Sequence, residues 1–293
     1  MRVDRCRRFF KTTSTEEAMA KGGTVRIPSI VHSDLSAALP DPAALGINLE
    51  SDLRGAAARG ELVAYFQPQI DLATGRIVAA EALCRWRHPV IGIVAPNVFI
   101  EIAERSNLIN DVGAFMLQAG REFLQDCREF EVELDVAVNV SPSQLGSIEL
   151  WNQLESMIHA DAINPSKLTL EITESMEIQD VAAAATHLAE LRALGVGISI
   201  DDFGTGHSSV EQVVGLPVSE VKIDRSLVQG TSDAAREEFR DAMTLAMERD
   251  LRVVAEGIET QAQRDYAIEM GCQRGQGYLF GRPSRTVELA AWR

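Results

Sequence analysis

The ten residues Gly197-Ile198-Ser199-Ile200-Asp201-Asp202-Phe203-Gly204-Thr205-Gly206 set two carboxylates side by side between an apolar stretch and a glycine-rich turn. Neighbouring side chains on a strand point to opposite faces. At a strand's end, however, the backbone can turn and deliver both acids to one place. Two adjacent carboxylates repel, so a cation belongs between them, and a divalent metal ion is the cation that takes oxygen ligands. The pair alone leaves another reading open, in which Asp202 caps the next helix and Asp201 is solvated, since Asp is a common N-cap. Gly204-Thr205-Gly206 could cradle a phosphate through backbone N–H groups. No Walker lysine follows, so an NTPase loop is not supported, and the segment reads as a mobile loop that shapes the site. Ser208 and Ser209 do not sit in a G-x-S-x-G elbow, which removes a serine hydrolase.

The elements around this stretch alternate. Apolar runs read as strands over 64–71, 76–86, 135–141, 168–175, 197–203, 220–228, 252–259 and 275–280. Between and around them, helical spacing covers 49–62, 96–106, 111–130, 148–159, 180–194, 208–214, 233–249 and 261–270. The first two strands are joined by a tight Thr74-Gly75 turn and can pair antiparallel. A repeated strand-then-helix unit with short connections builds a mostly parallel sheet wrapped by helices. Eight strands fit an α/β fold of the (β/α)8 barrel type. A doubly wound open sheet is the alternative, but no GxGxxG follows a strand.

Polar residues interrupt the apolar strands near their C-terminal ends: Glu81, Asn139, Glu171, Asp201, Asp202, Lys222, Asp224, Glu256, Glu259 and Gln276. In a barrel those ends form the active-site face. Only Lys222 lies among them as a cation, so the acids cannot all be structural ion pairs. Lys222 could pair with Asp224 two residues on, or could neutralise a phosphate oxygen or orient a water. Two divalent ions would offset the acids and make a site for in-line displacement at phosphorus.

Composition bounds the reading. The chain has 293 residues and a formal net charge of −15, from 28 basic and 43 acidic residues. Residues 1–40 hold seven Lys/Arg and four Asp/Glu, or +3, which leaves −18 on the rest. A body that acidic is a poor binder of duplex nucleic acid, and a phosphate substrate would need bound cations. No apolar run has the length of a membrane span, and no apolar signal core follows the basic start, which points to a cytoplasmic protein. Cysteines at 6, 84, 127 and 272 lack zinc-site spacing and read as reduced and structural. Gly22-Gly23, Pro28, Pro40 and Pro42 break up residues 1–45, which are expected to form a poorly ordered arm, with the barrel over 46–293.

With these residues in place, the chain resembles the EAL-domain family of cyclic di-GMP phosphodiesterases. The resemblance covers about residues 50–293. It rests on Tyr65-Phe66-Gln67-Pro68, Glu81-Ala82-Leu83-Cys84-Arg85-Trp86-Arg87-His88-Pro89, Val138-Asn139-Val140-Ser141 and Leu170-Glu171-Ile172-Thr173-Glu174-Ser175. It continues through Asp201-Asp202-Phe203-Gly204-Thr205-Gly206, Val221-Lys222-Ile223-Asp224, Ala255-Glu256-Gly257-Ile258-Glu259-Thr260 and Gln276-Gly277-Tyr278-Leu279-Phe280. The resemblance implies a modified TIM-like barrel whose first strand runs antiparallel, and a site for two Mg2+ or Mn2+ ions. Glu81, Asn139, Glu171 and Asp201 would hold one ion, and Asp201, Asp202 and Glu256 the other, with Asp201 bridging. Lys222 and Gln276 would hold the attacking water, and Glu256 would serve as ligand or general base. Glu174 would anchor the loop after Asp202. Gln67 and Arg85 would contact the substrate guanine and phosphate, with Asp224 and Glu259 as substrate-side groups.

Two departures from the family's usual pattern are visible: His207 follows Gly-Thr-Gly where an aromatic is common, and Val90-Ile91-Gly92-Ile93 replaces a commoner Glu-Leu-Gly. Neither removes an implied ligand. A homodimer is compatible with the resemblance. The expected activity is hydrolysis of cyclic di-GMP to linear pGpG; the alternative is a catalytically silent cyclic di-GMP receptor or protein-interaction module.

Overall fold

A computed structural model describes residues 45–160, 163–173, 181–204 and 215–285. The expected arm, the helix over 208–214, His207 and Glu174 lie outside the described residues.

The barrel is built from period-two strands whose alternate residues are apolar. In β4 (Asp135–Val140) the residues Val136, Val138 and Val140 are buried. In β5 (Leu168–Thr173) the same is true of Leu168, Leu170 and Ile172. Helix α3 (Ile109–Glu129) lies close over β4 because Gly120 has no Cβ; a methyl there would come 3.0 Å from Val138 Cγ2. The apolar core therefore sits between strands and outer helices. Burying each such aliphatic side chain contributes on the order of 2 kcal/mol, which offsets the cost of the polar residues that point the other way, into the barrel.

Strand β1 (Leu62–Asp71) pairs antiparallel with β2 (Ile77–His88) and with β9 (Arg274–Gln276). Strands β2, β4, β5, β6 (Gly197–Phe203), β7 (Glu220–Ile223), β8 (Arg252–Ala255) and β9 pair in that order, all parallel. Eight strands thus close into a (β/α)8-like barrel with its first strand reversed, as the resemblance implies. A further short strand, β3 (Gly92–Val94), folds back on the end of β2 and was not anticipated from the sequence.

Several elements end earlier than their apolar runs. Helix α1 spans only Leu49–Leu53, because Arg54 turns extended and Gly55 and Gly60 have positive φ. The run over 220–228 divides into β7 and α6 (Arg225–Val228), with Asp224 between them as the N-cap, accepting from Ser226 N–H. Strands β8 and β9 stop at Ala255 and Gln276, so Glu256 and Glu259 stand on the loop after β8. Helices α2 (Pro96–Arg105), α4 (Ile148–His159), α5 (Val181–Ala193), α7 (Asp233–Glu248) and α8 (Gln261–Met270) fall where their spacing placed them.

Because β1 is reversed, its beginning lies beside the C-terminal ends of the other strands. Leu62 pairs with Trp86. Asp52 of α1 sits 3.2 Å from Nε2 of the buried His88, whose Nδ1 accepts from the N–H groups of Val90 and Ile91. Those two donors fix the ring's tautomer, so Nε2–H donates to Asp52. The chain leaving β9 returns to the same place, where Phe66 and Ser284 exchange backbone hydrogen bonds.

At the other end, charged residues fill the floor. Arg274 of β9 reaches Asp135 of β4 at 2.8 Å, across the barrel closure, and Lys167 holds the same carboxylate at 3.3 Å. Arg252 pairs with the buried Glu220.

Candidate metal centre

The inward residues of the barrel strands converge at the C-terminal mouth. Register decides their heights: Gln67 stands opposite Glu81, Asn139 opposite Glu171, and Gln69 opposite Gln276. Asp201 and Asp202 would diverge on a regular strand. They sit where the pairing of β6 with β7 slips between Ile200 and Phe203, and Asp202 adopts φ 57. This left-handed turn, uncommon outside glycine though eased for Asp, is what sends adjacent carboxylates to one site. Asp202 N–H also donates to Asp201 Oδ1 at 3.1 Å.

At the centre is Lys222, fully buried. Its Nζ lies 2.6 Å from Glu256 Oε1, 3.0 Å from Asp201 Oδ1, 3.2 Å from Glu171 Oε2 and 3.4 Å from Glu81 Oε2. A pair with Asp224, open from the sequence, is not made; Asp224 caps α6 instead. The Asn139 amide donates to Glu81 at 2.8 Å and to Glu171 at 3.4 Å, spacing the two acids. The Gln276 amide donates to Glu81 at 2.6 Å and to Gln67 at 3.2 Å, and accepts from Gln69. Gln69 was missed in the strand reading. Its alternation with Gln67 in Phe66-Gln67-Pro68-Gln69 is the signal that marks it as inward.

The electrostatics follow from burial and crowding. Burial pushes the Glu256 carboxyl up to about 8, with Asp201 and Glu81 adding to the effect against Lys222. Burial and the neighbouring Asp201 and Asp224 raise Asp202 to about 6. Glu171 is raised well above the ordinary range by burial and by Glu81, Asp201 and Glu256. Burial opposes ionisation of Glu81 too, but Lys222, Gln276 and Asn139 outweigh it and hold that carboxyl below its usual value. Burial would lower Lys222, yet the four acids together keep it well above a free lysine.

These residues fit divalent cations. Oxygens of Glu81, Glu171 and Asp201 lie within 4.8 Å of one another, as do those of Asp201, Asp202 and Glu256, and Asp201 belongs to both groups. No donor among the described residues reaches the buried Glu171 Oε1. A carboxylate oxygen buried without a partner is costly, and a hard cation is the partner that chemistry supplies.

The remaining candidates lie around the mouth. Gln67 donates to Gly281 O at 3.1 Å. Arg85 is half-buried, donates to Cys84 O and lies 5.7 Å from the Tyr65 ring centre. Glu259 is exposed, on the loop between β8 and α8. Arg282 stacks 4.1 Å over the exposed Tyr278, a pair the sequence reading did not single out.

A closed barrel with one reversed strand and acids at its mouth belongs to a recognisable group of proteins. The chain is a member of the EAL domain family, whose model matches residues 50–283. It is similar to the bifunctional diguanylate cyclase/cyclic di-GMP phosphodiesterase MucR of Pseudomonas aeruginosa, 37% identical over 254 residues covering 84% of this chain and 36% of that protein. It is also similar to the cyclic di-GMP phosphodiesterase RocR of the same organism, 35% identical over 226 residues covering 76% of this chain and 58% of that protein. The chain therefore spans about a third to three fifths of the length of these two relatives. The solved structure of the MucR phosphodiesterase in complex with c-di-GMP matches with a TM-score of 0.75 at 36% identity, covering 81% of this chain and 98% of that one.

Proposed function

We propose that this chain hydrolyses cyclic di-GMP to linear pGpG in the cytoplasm, with two Mg2+ or Mn2+ ions. The observation that carries the reading is the ring of Glu81, Glu171, Asp201 and Glu256 about Lys222, with Asp202 beside it. Five carboxylates against one ammonium leave a formal charge of −4, which two divalent ions would cancel. Glu81, Asn139, Glu171 and Asp201 would hold one ion, and Asp201, Asp202 and Glu256 would hold the other. When bound, the ions supply Lewis-acid charge for the phosphate and bring a water's acidity toward neutrality.

The chain's own groups do the rest. Lys222 and Gln276 orient the water for attack at phosphorus in line with the 3′ oxygen. A bond forms from the water oxygen to phosphorus, the P–O3′ bond breaks, the departing 3′ oxygen takes a proton from solvent, and the single linear product carries a 5′ phosphate and a 3′ hydroxyl. Glu256, beside Lys222 at the centre of the cluster, is placed to take the water's proton. Arg85 and Gln67 hold the substrate phosphate and guanine. Asp224 and Glu259 lie on the substrate side, and Glu174 anchors the loop after Asp202. A homodimer is part of the reading and is checked by mass in solution.

The test is incubation of the purified protein with cyclic di-GMP and product chromatography. pGpG should appear with Mg2+ or Mn2+ and vanish with EDTA. Tight nucleotide binding without product, in the presence of metal, would replace the enzyme by a receptor. Absence of nucleotide binding would leave an interaction module.

A further inference from the structure

Lys222 does not serve one acid; it touches four. Its Nζ meets one oxygen each of Glu81, Glu171, Asp201 and Glu256, and the residue is wholly buried. Those acids are also the donors that would hold the two ions. We infer that Lys222 is a built-in counter-ion which divalent cations must displace from the acids, and that its charge sets how tightly they are held. The inference rests on the two-ion site of the proposed function.

The geometry forces a competition. An ammonium holds carboxylate oxygens at about 2.7–2.9 Å, whereas Mg2+ draws them to about 2.0–2.1 Å in near-octahedral order. Nζ occupies one oxygen each of Asp201 and Glu256, at 3.0 Å and 2.6 Å, so an ion can take only the second oxygens and the lone pairs that the ammonium leaves. Charge adds to this. An ammonium and a divalent ion share a buried site in which salt screens little, so their repulsion subtracts from the metal's attraction to the acids. Glu171 Oε1, without a donor among the described residues, shows that the ammonium leaves part of the acid cluster unsatisfied. The metal-free cluster is thus held together by a cation that is weaker than the one it would bind.

This role separates from the others Lys222 could have. A residue that only orients water would leave ion affinity unmoved when replaced. One that arranges the donors for metal would weaken binding when lost. A displaced counter-ion predicts the reverse, with turnover lost and metal gained.

The experiment is calorimetric titration of the full chain with Mn2+ at about pH 8.5, without nucleotide, for wild type and Lys222→Met. The variant should bind Mn2+ at least about tenfold more tightly. It should also melt lower in EDTA and gain more on adding Mn2+. Equal or weaker Mn2+ binding by Lys222→Met, with wild type binding normally, overturns this inference alone. A wild type that binds no Mn2+ overturns it together with the proposed function. If Lys222→Met does not fold, wild-type crystals grown with and without Mn2+ decide. Nζ should withdraw beyond about 4 Å from Glu171 and Asp201 when Mn2+ is bound, past ion-pair range; retention of all four contacts overturns the inference.

Discussion

Asp201 is the one acid shared by both oxygen clusters at the mouth. Asp201→Asn should therefore weaken Mn2+ binding and lower turnover more than about a hundredfold, since even residues that only orient ligands cost about 10–100-fold. The same change removes a carboxyl that burial already raises, so in EDTA at about pH 8 the variant should melt no lower than wild type. A variant with near-normal turnover would remove Asp201 from the bridging role. Asn139 acts differently. Its amide separates Glu81 from Glu171, and Asn139→Asp places another acid there; melting in EDTA should fall and recover with Mg2+. These residues were legible from the sequence as acids and amides at strand ends. Their mutual contacts were not, because side chains from separate strands meet only through the closure of the barrel. Lys222 illustrates this: local spacing offered Asp224 as its partner, and tertiary closure supplied four others.

Among the elements, the loops after β8 and β9 set the height of Glu256 and Gln276. Gly277 makes that packing feasible. A Cβ there would come 2.1 Å from Ile258 O and 2.3 Å from Ile258 N, at a φ of 156°. Gly277→Ala should cost about 1–3 kcal/mol in stability, read by urea denaturation. It should also displace the Gln276 amide from Glu81, lowering turnover even where the fold survives. Unchanged stability would show that the loop after β8 yields. The strand-and-helix rhythm was readable because core-facing residues repeat at fixed spacing. The ends of β7 and β8 were not, because buried apolar residues continue past them: Leu227 and Val228 after β7, and Ile258 after β8. What decides those ends is the cap at Asp224 and the positive φ of Gly257. Nor was β3 legible, since its three residues carry too short a pattern to stand out.

For the whole molecule, the raised carboxyls tie stability to pH and metal. Glu256 and Asp202 have folded values of about 8 and about 6, above those of an unfolded chain. Between the ordinary carboxylate range and those values the folded state holds more protons, so stability of the metal-free protein falls as pH rises through that window. Melting in EDTA should be lower at about pH 8.5 than at about pH 5.5, and the gain on adding Mg2+ should be larger at the higher pH because bound metal requires the acids ionised. A gain independent of pH would contradict this. No helix among the described residues is long and apolar enough to cross a membrane. The reversed first strand has a different consequence. Polypeptide enters the barrel through α1, fastened to His88, and leaves past Ser284, fastened to Phe66, both at the rim that holds the acids. A pull on α1 or on Ser284 would therefore load the rim that carries the acids and not the charged floor.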